Sequence, residues 1–266
     1  MTHTDKEERT DHAEYAERLD QAEYGECLDQ AEYGECKEYA DCKGSDDAND
    51  ANDTNDANDH THIPTKCIGI TGGVGSGKSS VLDYLKKSVN CEIFISDEEA
   101  KKLYIPGSPV FDKIVGVLGE DVLDEDGGLN NKRFAARLFE EPELREAVNG
   151  IVHPAVNALI FSTMDREKKK GIHEFLFIEA ALLIENGYEE ILDEIWYIYA
   201  SEETRRKRLK ANRGYSDEKI SSIFASQLSK EDFIKHTDRV IDNDKSPEDM
   251  KASVDEVIRA FRQKHS

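Results

Sequence analysis

KCIGITGGVGSGKSSVLDYL, Lys66 to Leu85, decides the fold. Its first six residues read as a strand, apolar at Cys67, Ile68 and Ile70. The next eight, Gly72 to Ser79, satisfy G-x-x-x-x-G-K-[ST] through Gly72, Gly77, Lys78 and Ser79. An amphipathic helix follows. Strand, glycine loop and helix in that order make a phosphate cradle. Glycine lets the backbone curl until its N–H groups converge, and the helix N-terminus adds the positive end of its dipole. In this motif Lys78 reaches the β- and γ-phosphates and the Ser79 hydroxyl ligates Mg²⁺. Gly73, Gly75, Ser76 and Ser80 line the rest of the cradle. The loop therefore specifies a nucleoside triphosphate donor with Mg²⁺ and is silent on the acceptor.

Outward from this stretch, short apolar strands alternate with helical patterns. Lys66–Thr71, Cys91–Ser96, Glu174–Ala180, Glu194–Ala200 and Asp238–Asn243 read as strands. Helical spacing runs over Gly77–Ser88, Ser108–Leu118, Lys132–Phe139, Pro142–Glu167, Ser201–Asn212, Ser216–Leu228 and Pro247–Gln263. The alternation predicts an α/β fold, a five-stranded parallel sheet with helices on both faces. The second and third strands are too far apart for one crossover, so a helical insertion is expected there, at about 104–170. The kinase-like domain is expected over 63–266, with a lid at about 204–235.

Residues 1–62 stand apart. LDQAEYGEC occurs twice in tandem, at Leu19–Cys27 and Leu28–Cys36, and DDANDANDTNDANDH follows at Asp46–His60. A nine-residue period matches neither a heptad nor a solenoid, and the segment has too few apolar residues to bury a core. It reads as a disordered acidic tail. Residues 1–60 hold a net −15 of the chain's −22. The remainder is only mildly acidic and offers no basic surface to nucleic acid. No run approaches the roughly 18 apolar residues of a membrane span, and the N-terminus lacks the apolar centre of a secretory signal. Five cysteines without a dense framework point to a reducing cytoplasm. The spacing of Cys27, Cys36 and Cys42 matches no common zinc pattern. The expected partner is a small molecule, and the expected state a monomer or weak homo-oligomer.

A phosphate loop serves GTPase switches, ATPase modules and small-molecule kinases alike. The sequence has no guanine-reading Asn-Lys-x-Asp, and Asp124–Gly127, the one D-x-x-G of interest, follows no strand and reads as a turn. A large ATPase needs more chain. A kinase needs an acid for the acceptor, an acid for the metal and arginines over the phosphates, and all three have candidates. Asp97 follows the second strand at the carboxyl edge where ligands of open α/β sheets bind. It suits an acceptor hydroxyl, or else caps the next helix. Glu179 ends the apolar FLFI strand as a metal-side acid does, and Glu185 is a second candidate. Arg205, Arg206, Arg208 and Arg213 cluster in one helical pattern, with Arg205 and Arg208 on a shared face. Arg208 and Arg213 suit phosphate, whereas Arg206 and Lys207 suit solvent.

With these residues in this order, the chain from about Lys66 to Ala260 resembles the dephospho-coenzyme A kinases. GITGGVGSGKS matches the family's opening, including Thr71, and ISDEEAKKLY matches the segment that carries its catalytic aspartate, which falls on Asp97. LFEEPELREAVNGIVHPAV matches a signature ending in His-Pro, here His153-Pro154. ALLIENGYEE is similar to a Pro-Leu-Leu-Phe-Glu segment, with Glu185 on its glutamate and Ala181 on its proline. The lid, Ala200–Leu228, keeps Arg208, Leu209 and Gln227, but its second arginine comes one residue late, at Arg213. RVIDND, Arg239–Asp244, resembles the last strand, whose end at Asn243 lies near adenine. The resemblance implies that ATP phosphorylates the ribose 3′-hydroxyl of dephospho-coenzyme A. In that reading Lys78, Asp97 and Arg213 are catalytic, and Ser79 and Glu179 hold Mg²⁺. The cradle residues with Arg208 and Asn243 bind ATP, and Thr71, His153, Glu185 and Asp97 meet the acceptor. A nucleoside monophosphate-type kinase and a weakened nucleotide-binding module are the alternatives.

Overall fold

The computed structural model describes residues 62–180 and 182–265. The acidic repeat tail, His62 apart, and Ala181 lie outside the described residues. The elements in chain order are β1 (Lys66–Thr71), α1 (Lys78–Ser88), β2 (Cys91–Ile95), α2 (Ser96–Leu103), α3 (Pro109–Leu118), α4 (Asn131–Glu140), α5 (Pro142–Lys170), β3 (Phe175–Glu179), β4 (Glu194–Tyr199), α6 (Glu202–Arg213), α7 (Asp217–Ala225), α8 (Lys230–Lys235), β5 (Arg239–Asp242) and α9 (Pro247–Lys264).

The strands form one five-stranded sheet in the order β2-β3-β1-β4-β5. β1 runs parallel to β3 and β4, and β4 parallel to β5. Strands covered on both faces need apolar residues at successive positions. Phe175 to Ile178 and Ile195 to Ile198 meet that demand and are buried. Phe175, Phe177, Trp196 and Phe261 of α9 form one cluster with ring centroids 5.4–6.5 Å apart, Phe175 and Phe177 stacked and Phe261 edge-on to Phe175 and Trp196. The Trp196 indole N–H donates to the buried Glu194 carboxylate at 2.9 Å, which Lys264 and Arg239 also hold.

The described residues divide into two compact units. One is Phe94–Thr163, which holds the end of β2, α2 to α4 and most of α5. Its core is Ala100, Ile114, Leu118, Val122, Phe134, Leu138, Val148 and Val152, drawn from α2 to α5 and the short turn between α3 and α4. The other holds the sheet strands β1 and β3 to β5, the loop of Gly72–Ser79, α1 and α6 to α9.

Three elements differ from the sequence expectation. A helix, α2, begins at Ser96 directly after β2, where no helix was delimited. α8 forms inside the segment after Leu228. α5 ends at Lys170, three residues beyond the expected Glu167. By length and composition α5 is also the one described helix long and apolar enough to cross a membrane. The sequence reading took no stretch to be apolar enough, because it counted uninterrupted runs rather than mean hydropathy. Val148 and Val152 of this helix are spent in the helical core.

Candidate functional site

The loop takes its shape from glycines. Gly72 has φ 151°, and a Cβ there would sit 2.6 Å from the Ile198 carbonyl of the neighbouring strand. Gly77 has φ 90° and is the N-cap of α1, without a side-chain cap. Serine or asparagine side chains cap α3, α4, α6, α7, α8 and α9. The first-turn N–H groups of α1 are thus left without a capping partner, as an anion-binding terminus requires. Lys78 folds back over the loop and donates to the Gly72 carbonyl at 2.9 Å. Its Nζ also lies 3.5 Å from Glu179 Oε1 at the end of β3. Sequence spacing brings Lys78, Ser79 and Glu179 to one edge of the sheet, because β1 and β3 are adjacent and parallel.

Two polar braces, each with an arginine of α6, hold the loop. Arg208 Nη1 donates to the Ser76 carbonyl at 3.1 Å and Nη2 to the Asn243 carbonyl at 2.8 Å. Asn243 Nδ2 donates to the same Ser76 carbonyl at 2.7 Å, and a Cβ on Gly77 would strike that amide. The second brace is Arg205, whose Nε donates to the Val74 carbonyl at 2.8 Å. Gln227 Oε1 accepts from Arg205 Nη2 at 2.5 Å and from Val74 N–H at 3.3 Å. Arg205 was noticed in the sequence only as a neighbour of Arg208. The available signal was the i,i+3 spacing, which put both on one helix face.

Other expected residues fall elsewhere. Arg213 is the exposed last residue of α6, with its guanidinium 5.8 Å from the Tyr215 ring. Glu185 lies in the turns after β3 and is exposed. Thr71 ends β1, buried and paired in register with Tyr197. Ser79 and Ser80 are exposed in the first turn of α1, whereas Ser76 is buried and its hydroxyl has no partner.

The helical unit carries the rest. Asp97 is the second residue of α2, exposed in its first turn. It does not cap the helix: Ile95 is the N-cap, with no side-chain hydrogen bond. Asp97 acts electrostatically on Tyr104, whose phenol burial and that carboxylate both push upward. His153 lies mid-way along α5, and burial pushes its imidazole down to about 4. The ring is therefore neutral near pH 7. One turn earlier on the same face, Asn149 is buried and neither end of its amide has a hydrogen-bond partner. Such a group costs about 1–3 kcal/mol for each unmade bond. Sequence reasoning passed over Asn149, since a lone Asn in a helix announces nothing.

The residues present fit Mg²⁺. The Ser79 hydroxyl and the Glu179 carboxylate, 14% exposed, are hard oxygen donors. No group of three or more His, Cys, Asp or Glu side chains among the described residues forms a cage for a metal. A cation held by one or two side chains, waters and substrate phosphates is the arrangement Mg²⁺ prefers.

With this geometry in hand, the comparisons with known proteins are specific. The dephospho-CoA kinase family model matches residues 66–249. Dephospho-CoA kinase of Dehalococcoides mccartyi is 35% identical over 189 residues, 71% of this chain and 94% of that protein. That of Symbiobacterium thermophilum is 33% identical over 195 residues, 73% of this chain and 81% of that protein. Among solved structures, TT1252 from Thermus thermophilus superposes with a TM-score of 0.61 at 27% identity, covering 74% of this chain and 97% of that one.

Proposed function

The chain belongs to the dephospho-CoA kinase family, and on that premise we propose which of its residues carry each part of the reaction. The activity is transfer of the terminal phosphoryl group of ATP to the ribose 3′-hydroxyl of dephospho-coenzyme A, giving coenzyme A, the last step of its biosynthesis. On the donor side Gly73 to Ser80 receive the phosphates through backbone N–H groups and the open N-terminus of α1. Lys78 neutralises charge on the phosphates. One observation carries this assignment: Lys78 is folded onto the Gly72 carbonyl with Glu179 beside it. Ser79 and Glu179 would hold Mg²⁺ as hard oxygen donors. When bound, the ion neutralises charge on the phosphate oxygens.

On the acceptor side Asp97 orients the 3′-hydroxyl and takes its proton. Transfer is loose, so orientation matters more than basicity. Neutral His153 and Asn149 supply uncharged hydrogen-bond partners, which suit the base or amide portions of the acceptor better than its pyrophosphate. Glu185 and Thr71 are further acceptor contacts, and Arg213 closes on the phosphates from the lid. The test is ADP formation with and without dephospho-coenzyme A.

A further inference from the structure

We propose that Arg205 and Gln227 form a latch that positions the phosphate loop for ATP by gripping both sides of one peptide residue, Val74. The inference rests on ATP being the donor, as above, and goes beyond it by assigning two positioning residues outside the phosphate motif. Val74 sits in the loop between Gly73 and Gly75. Its carbonyl accepts from Arg205 Nε at 2.8 Å, and its N–H donates to Gln227 Oε1 at 3.3 Å. Arg205 Nη2 closes the ring by donating to the same Gln227 oxygen at 2.5 Å. The two peptide planes that flank the Val74 Cα are each held by one hydrogen bond, so neither can rotate without breaking the ring.

Three features around the ring point the same way. The Arg205 guanidinium lies 4.2 Å from the Phe224 ring centroid, which fixes its plane. A Cβ on Gly73 would strike that guanidinium, so the second glycine of the loop makes room for the arginine. Both hydrogen-bond partners of Arg205 are neutral, so its charge stands partly buried beside an anion-binding loop. Burial disfavours this cation, with Glu202 opposing that effect, and triphosphate in the cradle would add a further anion beside it. Gln227 follows α7 and Arg205 sits on α6, so the latch joins two ends of the lid segment to the loop.

The latch needs the planar fork of arginine and only the carbonyl oxygen of glutamine. Arg205→Lys keeps the charge and loses the fork, so it should bind ATP about tenfold more weakly, as should Arg205→Ala. Gln227→Leu should do the same, and Gln227→Glu, which still presents an acceptor to both donors, should recover most of that loss. Gly73→Ala, which displaces the guanidinium, should mimic Arg205→Ala. The measurement is calorimetric ATP affinity of the full chain without acceptor, beside KM for each substrate and the Tm. KM for ATP should rise with little change in KM for dephospho-coenzyme A. Rescue by Arg205→Lys, or equal ATP affinity in Gln227→Leu and Gln227→Glu, overturns the latch. If Arg205→Ala fails to fold, the two Gln227 variants still decide it. A wild-type chain that does not use ATP would instead sink the functional assignment itself.

Discussion

Lys78 Nζ lies 3.5 Å from Glu179 Oε1, so the cation of the phosphate loop and the acid at the end of β3 already face each other. Glu185, six residues further on, is exposed in a turn. The metal-side role should therefore fall on Glu179. Glu179→Gln should raise the Mg²⁺ concentration for half-maximal rate about 10–100-fold, and Glu185→Gln should leave it unchanged. A titration of rate against Mg²⁺ at fixed ATP reads this, and the opposite ranking would reassign the acid.

Asp97 stands exposed in the first turn of α2 and is not spent as a cap. Asp97→Ala removes both the oxygens that orient the hydroxyl and the base. Its kcat should fall about 10²–10⁴-fold while ATP affinity holds. If turnover persists, Asp97 is a surface residue and the acceptor acid lies elsewhere.

His153 gives a pH signature. Burial lowers its pKa from 6.5 to about 4. Between those values the unfolded chain binds the proton and the folded chain resists it. This contribution to stability is therefore intact above pH 6.5 and is lost progressively as pH falls toward 4. KM for the acceptor should stay flat over that interval, because the folded imidazole remains neutral. His153→Asn should flatten the fall in Tm between pH 6.5 and 4. An unchanged slope in the variant would show that His153 titrates normally.

Glu167 predicts a second loss of stability toward acid, at lower pH. Its carboxylate is 1% exposed. Burial pushes its pKa up, but hydrogen bonds from Lys170, His173 and Arg166 outweigh that and hold it at about 2. The stabilisation is present above the unfolded carboxylate value of 4.5 and is lost as pH falls through about 2. Glu167→Gln should lower stability at pH 7 by about 1–3 kcal/mol with KM for both substrates unchanged. Denaturant melts at pH 7 and pH 3 measure this, and the difference between variant and wild type should shrink at pH 3.

Local chemistry explains what could be read in advance. The loop was legible because glycine, lysine and serine at fixed spacing have one economical use, and Ile68 and Phe177 announce buried strands by composition alone. The place of Asp97 just after a strand was legible. Its freedom from capping was not, because SDEEA reads equally well as a cap and as a first turn. Arg205 and Gln227 were not legible as partners. They stand 22 residues apart in chain order, and only the return of α7 brings them to Val74. Asn149 needed three dimensions as well, since burial of a helix face is set by what packs on it.

The central claim is the identity of the acceptor, and a substrate screen tests it most directly. The purified full chain with ATP and Mg²⁺ is given dephospho-coenzyme A, nucleoside monophosphates or no acceptor, and ADP is followed. ADP should form with dephospho-coenzyme A and remain at background in every other arm, with phosphate found on the ribose 3′ oxygen. Equal turnover of a nucleoside monophosphate, or none with dephospho-coenzyme A, would contradict it.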